Sequence, residues 1–479
     1  MFKLFPIGGC IALVSFGALA QTNLAAPLQE FVKIQAPVIA LTHARVIDGT
    51  GMPARQDQTV IISAGKILSV GDASRTKVPA GAKVLEMSGK TLIPGLVGMH
   101  DHMYYPTPGG GAAMYGQHTF SFPRLYLAGG VTSMRTTGSV ETYSDLEIKK
   151  LIDAGQMIGP KMHISGPYME GPDALGVQLH QLKDAEDARK MAEYWMDTGV
   201  TSFKAYMHIT RAELAALVKA AHARGIKVTG HLCSIGFTEA AAIGIDNLEH
   251  GLPVDTEFYS QKKPDVCPGQ KEIRKEMISQ LEIGSPRVQE MIRNLVAHHV
   301  AVTSTLPVFE TFVPNRALLQ KRILEAMAPQ ARIAYLQQRS VISDGAAESP
   351  WPVLFKQEMQ FERAFVQAGG LLLAGLDPTG YGGVIAGFGD QREVELLVEA
   401  GFTPLEAIHI ATANGAEYLG QTDKIGAIAA GKQADLVVIR GDPSKNISDI
   451  ENVEIVFKDG VGFDSPKLIE STREMVGLK

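Results

Sequence analysis

Cysteine is scarce, three residues in 479, which excludes a disulfide-built scaffold. Cys10 lies in an apolar N-terminal stretch, so Cys233 and Cys267 remain for the folded chain, and their spacing does not say whether they pair. Basic residues are not in excess: 45 Lys and Arg stand against 51 Asp and Glu, a formal net charge of -6 with no basic run. The electrostatic footprint of a nucleic-acid binder is therefore missing. A Gly-rich phosphate turn after a first strand is missing too, since "PGGGAAMYG" from Pro108 is too irregular to be one. That argues against an open dinucleotide-binding sheet.

What is present begins with Lys3, the apolar run "LFPIGGCIALVSFGALA", and the small-x-small triplet Ala18-Leu19-Ala20 before Gln21. The run is short for a membrane span and ends in small residues, as a secretory signal does. Residues 1–20 read as a signal peptide cleaved after Ala20, with a membrane anchor or a buried helix as the bland alternative. The mature chain is then exported, to the periplasm, and carries no membrane span.

Residues 37–95 alternate apolar and polar side chains between Gly, Asp and Ser, and the pattern returns over 421–464. This period of two predicts short strands from both chain ends, joined into one small composite β-sandwich domain. The stretch 96–420 instead alternates short apolar runs ("GVTSMRTTG", "GVTSFKAYM", "GIKVTGHL", "GLLLAGLDP") with amphipathic helical segments such as "ITRAELAALVKAAHARG". Apolar strands each followed by a helix indicate a parallel sheet covered by helices. Eight such runs match a closed (β/α)8 TIM-like barrel, an α/β fold. Two connections, 253–290 and 308–355, are long enough to shape or cover a site, or to be surface decoration.

Polar residues end the barrel strands. His100 and His102 end the first, Lys204 lies in "TSFKAYM", His231 ends "KVTGH", His250 ends "DNLEH", and Asp377 ends "LLLAGLD". On a strand, residues i and i+2 share a face, so His100 and His102 project together while Asp101 points away. Paired imidazoles with further histidines and a carboxylate suit a borderline metal such as zinc. A lone His-x-His is weak evidence; joined to His231, His250 and Asp377, each at its own strand end, it makes metal the favoured reading.

The motifs "GMHDH", "SFKAYM", "VTGH", "NLEHG" and "AGLDP", with the C-terminal "IGAIAAGKQADLVVI", resemble the metal-dependent amidohydrolase superfamily over essentially the whole mature chain. The Lys204 strand is similar to the hydantoinase and dihydroorotase branch, whereas "NLEHG" and the tail are similar to imidazolonepropionase and secreted prolidase-like members. The resemblance implies that His100, His102 and Asp377 hold one Zn2+, that His231 and His250 hold a second, and that a carboxylated Lys204 bridges them. An ammonium between two dications would be strongly repelled, which agrees with that modification; a lysine snorkelling outward is the alternative. The implied reaction is hydrolysis of an amide C–N bond by a metal-bridging hydroxide, with Asp377 as the catalytic proton acceptor and donor.

Substrates in keeping with this are dipeptides, N-acyl amino acids or other small amides. Cyclic amides, lactones and phosphotriesters are open alternatives, and a degenerate metal-binding barrel is the non-enzyme one. A homo-oligomer is compatible with the sequence. For substrate contacts the candidates are Tyr104, Tyr105 and Tyr206 as pocket wall or packing, Arg135 as a carboxylate partner or a structural ion pair, and His163 on the third strand. His180 is a weaker candidate of the same kind. Cys233 reads as packing, and His43, His118, His208, His222, His298, His299 and His409 as structural.

Overall fold

Short runs of β-branched and other apolar residues, buried on both faces, form the central strands. A computed structural model describes residues 24–108, 114–172 and 178–478; the expected signal peptide lies outside them. The barrel strands are β1 (Leu96–Asp101), β2 (Val131–Thr136), β3 in two pieces (Lys161–His163 and Ser165–Met169), β4 (Ser202–Ala205), β5 (Lys227–Gly230), β6 (Asn247–Glu249), β7 (Ala301–Ser304) and β8 (Leu372–Ala374). Each neighbouring pair from β1 to β3 and from β3 to β8 is parallel. The barrel closes where the Asp377 N–H donates to the His100 carbonyl at 3.0 Å. Gly375 permits that closure, because a Cβ there would sit 2.3 Å from the His100 Cβ.

The covering helices follow from their sequences. In Arg211–His222 the Thr210 side chain and Glu213 form a reciprocal capping box, and Leu214, Leu217, Val218 and Ala221 are buried along one face. The α/β barrel expected from the alternating pattern is the one observed. Among the described residues no helix is long and apolar enough to cross a membrane.

Both chain ends meet in a nine-stranded sheet that includes Val38–Val46, Arg55–Ser63, Lys90–Pro94, Leu436–Arg440 and Val453–Lys458. Ile39, Leu41, Val60, Leu92, Val438 and Phe457 form a core of its own. The sheet starts earlier than residue 37, since Val32–Ile34 pairs with Val461–Asp464. Lys161, at the start of β3, reaches Asp435 of this sheet at 2.6 Å and ties the two units together.

Cys233 corrects the packing reading. It is joined to Cys267 by a disulfide across 34 residues of sequence. This bond fastens the long connection after β6 to the turn that follows His231, where the Thr256 hydroxyl also donates to the Cys233 carbonyl at 2.6 Å. Closing a loop of this size restricts the unfolded chain by roughly 3–4 kcal/mol. The double variant C233S/C267S should lose a stability of that order in denaturant melts, and a reducing agent should destabilise the native protein but not the variant. Equal midpoints for both proteins under oxidising conditions would contradict this.

Three buried acids stand where the chain leaves β6 and β7. Glu358 accepts from the Leu252 N–H at 2.7 Å and Glu393 from the Leu306 N–H at 3.0 Å. Glu362, fully buried beside them, lies next to Ser304 and Glu358, and burial raises its carboxyl to about 8. A carboxyl whose folded pKa is raised favours folding while it is protonated in both states. That contribution turns into a penalty as pH climbs from the unfolded value through the folded one. E362Q should therefore gain on the order of 1–3 kcal/mol over the native protein at about pH 8 and little at about pH 5, read from paired denaturation curves.

Candidate metal centre

The carboxyl ends of β1, β4, β5, β6 and β8 carry the polar residues singled out in the sequence. His100, near the end of β1, and His102, just past it, are buried, and Asp377, 6% exposed, comes up beside them from beyond the end of β8. One ligand atom from each of these three residues lies within 4.8 Å of the others. The Nε2 atoms of His100 and His102 are both 3.7 Å from Asp377 oxygens, and His250 Nε2 is 3.8 Å away. These separations are too long for hydrogen bonds. They approach the spacing of about 3.4 Å expected for two donors sharing one tetrahedral zinc.

The other ring nitrogens are already engaged. His100 Nδ1 meets Glu249 at 2.7 Å, His102 Nδ1 meets the Gly138 carbonyl at 3.1 Å, and His250 Nδ1 meets the Thr305 hydroxyl at 2.8 Å. An Nδ1–H donated to a carboxylate or carbonyl leaves Nε2 as the lone pair, so His100 and His102 are oriented as ligands before any ion arrives. Burial, reinforced by neighbouring positive groups, holds His100, His102 and His250 well below the ordinary histidine range. His231 is lowered to about 3 by the same burial. All four are neutral at physiological pH, as metal binding requires.

Asp377 supplies the charge. Burial pushes its carboxyl up to about 6 against the pull of Lys204, and its Oδ1 is buried with no hydrogen-bond partner. An orphaned carboxylate oxygen facing neutral imidazole lone pairs is a donor set that fits a divalent cation. His250 (φ 70°) and Asp377 (φ 52°) both hold left-handed backbone conformations. Strain at two convergent side chains is the kind a functional site stores.

Lys204 points inward, 1% exposed, with Nζ 3.2 Å from His100 Nε2 and near the rings of Tyr168 and Tyr206. The outward-snorkelling alternative is excluded. Burial lowers its ammonium to about 8, partly offset by Glu249 and Asp377. The His231 ring lies 4.4 Å from that of His250 and 5.1 Å from that of Tyr206, so the second pair of histidines adjoins the triad.

The profile of the Amidohydrolase family matches residues 91–462, most of the chain. The chain belongs to that family. The amidohydrolase is 32% identical over 87 residues to the enamidase of Eubacterium barkeri, a match covering 18% of this chain and 21% of that one. The alignment thus spans about a fifth of the enamidase. Solved structures share the fold. A Bifidobacterium longum protein provisionally assigned as a prolidase is 24% identical, covered over 91% of this chain and 98% of its own, with a TM-score of 0.66. A Xaa-Pro dipeptidase with methionine bound in its active site is 18% identical over 89% and 100% of the two chains, also at 0.66. Bottromycin amidohydrolase is 19% identical over 93% of both, at 0.68. A metal-ligand triad in an amidohydrolase-family barrel is the equipment of a metal-dependent hydrolase.

The remaining candidates separate. Arg135 is 1% exposed and spends its guanidinium on Glu249 at 2.8 Å, Asn247 at 2.8 Å and the Met99 carbonyl. It is a structural ion pair inside the amidohydrolase barrel and is not free for a substrate carboxylate. His163 also drops out. It lies in the first piece of β3, paired with Arg135 in register and contacting Gln421, whereas Tyr168 in the second piece is level with Lys204. His180 is exposed. Tyr104 stacks on His102 with ring centroids 4.5 Å apart, and its hydroxyl meets that of Tyr168. Tyr105 is buried, with its oxygen accepting from the Gly383 N–H at 2.9 Å. Tyr206 packs edge-on against both Tyr168 and His231.

Sequence reasoning missed Glu249, Thr305 and Tyr168. For Glu249 a signal existed: Asn247 and Glu249 are i and i+2 on one strand, and both turn into the barrel to meet Arg135. Asp101, between the two histidines, is fully buried. Its oxygens have no hydrogen-bond partner, and burial raises its carboxyl well above the ordinary range.

Proposed function

We propose that the protein is an exported, binuclear zinc hydrolase that cleaves amide C–N bonds of dipeptides, N-acyl amino acids or related small amides. The observation that carries this reading is the convergence of His100 Nε2, His102 Nε2 and an Asp377 carboxylate whose Oδ1 has no hydrogen-bond partner, at the mouth of an amidohydrolase-family barrel. His100, His102 and Asp377 would hold one Zn2+; His231 and His250 would hold the second, with Lys204 as a carbamate between them. Bound zinc would lower the pKa of a coordinated water toward ~7 and polarise the scissile carbonyl.

The chain's own groups do the rest. Asp377 takes the proton of the attacking water on a carboxylate oxygen and returns it to the departing nitrogen, a role suited to a buried carboxyl raised toward neutrality. Glu249, Gly138 and Thr305 hold three imidazoles in place through Nδ1. Tyr104, Tyr168 and Tyr206 exclude water from one side of the site. Converting Lys204 from a cation to an anionic carbamate removes a buried positive charge from the cation site. Export is supported by the N-terminal sequence and by the Cys233–Cys267 bond, since structural disulfides persist in oxidising compartments.

The test is metal analysis followed by assay of the zinc-loaded mature protein on acyl amino acids, dipeptides, lactones and phosphotriesters. Two zinc ions per subunit, amide turnover and activation by bicarbonate are expected. Full occupancy without hydrolysis of any of these substrates would overturn the enzyme reading, and selective turnover of lactones or phosphotriesters would overturn the amide reading.

A further inference from the structure

His250 sits in a turn that its own backbone does not favour. It has φ 70°, and Gly251, the glycine of "NLEHG", follows at φ 67°. A left-handed histidine is strained and persists only where the surrounding structure over-determines it. Ahead of the turn, the His250 N–H donates to the Thr303 carbonyl at 3.0 Å. Beyond it, the Leu252 N–H donates to Glu358 Oε2 at 2.7 Å, both residues being buried. Gly251 makes room for that carboxyl, since a Cβ there would lie 1.9 Å from Glu358 Oε1.

The imidazole is held from the next strand. His250 Nδ1 meets the Thr305 hydroxyl at 2.8 Å, and Thr305 is the first residue beyond β7. Its successor Leu306 donates its N–H to Glu393 Oε2 at 3.0 Å. Both turns that set His250 are thus tied to carboxyls of the helices before and after β8, Trp351–Gln367 and Phe388–Glu399. Burial raises Glu358 and Glu393 well above the ordinary carboxylate range. A protonated carboxyl keeps its carbonyl oxygen as an acceptor for a backbone N–H. An amide can do the same, and an alkyl group cannot.

Resting on the two-zinc reading above, we propose that Glu358 and Glu393 are positioning residues for the second zinc: by accepting the Leu252 and Leu306 N–H groups they fix the turns after β6 and β7, and so aim His250 Nε2 at the ion. Glu358 sets the backbone from which the ring projects. Glu393 sets Thr305, whose oxygen takes the Nδ1–H and leaves Nε2 as the lone pair. His100 and His102 are oriented by Glu249 and the Gly138 carbonyl instead. Loss of the clamp should therefore release the second ion and spare the first.

The test has two parts. In the metal-free protein, with isotope-labelled imidazole nitrogens, the variant H250N assigns the His250 Nδ1–H resonance. Its exchange with water should be about tenfold faster or more in E358L and E393L than in the native protein, and close to native in E358Q and E393Q. In the second part, zinc is titrated against a chelator. The leucine variants should bind the second ion about 10–100-fold more weakly and the first within about threefold of native, and the glutamine variants should bind both as the native chain does. A merely structural role would lower stability without separating the two ions, or leucine from glutamine. G251A drives the Glu358 carboxyl out of the turn with every acid in place; it should behave like E358L and replaces it if that variant does not fold. Native exchange at His250 in E393L and in E358L or G251A would overturn the clamp, as would glutamine variants impaired as much as the leucine ones, or a native protein without a protected His250 Nδ1–H. A native protein that binds one zinc ion, with the exchange pattern as expected, would instead overturn the two-zinc reading.

Discussion

Replacing Asp377 by asparagine is expected to cut kcat by roughly 10³-fold, within the span that a positioned acid/base group contributes. The carboxylate has two duties in the proposed site. It is a ligand with one buried oxygen free of any hydrogen bond, and it is the acid/base group facing the reacting atoms. Asparagine keeps the shape and one neutral oxygen but cannot take a proton, so metal content measured by plasma emission should fall less than turnover does. Stability moves the other way in the metal-free protein. Burial pushes the Asp377 carboxyl up to about 6, so the native side chain costs stability once pH passes through that value, and the amide does not. Metal-free D377N should melt at or above the metal-free native protein at neutral pH, and zinc should raise its melting temperature by less. A fully metallated D377N that retains turnover within tenfold of the native enzyme would remove Asp377 from the catalytic role.

The barrel was legible because strands buried on both faces read as unbroken apolar runs, and because helices between them carry a distinct period. The ligand-type residues were legible for a related reason: an apolar strand that ends in histidine or aspartate has few structural uses for it. What was not legible depends on pairing across the sheet. Glu249 looked like one more polar residue in "NLEHG", and its partners His100 and Arg135 lie 149 and 114 residues away in sequence. Arg135 was ambiguous from its strand-end position alone; only the floor of the barrel shows which carboxylate it meets. His163 was misplaced because β3 breaks between His163 and Ser165, so its true carboxyl end lies further on, at Tyr168 and Met169. The Cys233–Cys267 bond depends on the path of a connection whose sequence has no periodic pattern.

Glu249 carries the other large effect. Its Oε2 accepts from His100 Nδ1 at 2.7 Å, its Oε1 accepts from Arg135 at 2.8 Å, and the Thr229 hydroxyl donates to it as well. None of these groups is more than 1% exposed. Removing its charge leaves the Arg135 guanidinium buried without a counter-ion, so E249Q should lose about 3–5 kcal/mol of stability in the metal-free protein. Metal affinity is governed by a different contact. An imidazole whose Nδ1–H has lost its acceptor is no longer held with Nε2 toward the ion, a change worth 10–100-fold in affinity. Two double variants separate these effects. R135M/E249Q removes the orphaned cation and retains an amide oxygen for His100, so most of the stability should return and zinc affinity should come within about tenfold of native. R135M/E249L should also regain stability, because an ion pair replaced whole by apolar groups is often tolerated; with no acceptor for His100 Nδ1, its zinc affinity should stay depressed. Competition with a zinc chelator and denaturant titration of the same four proteins read both quantities. If R135M/E249L bound zinc as tightly as the native chain, Glu249 would have no part in orienting His100, and its burial would serve only to neutralise Arg135.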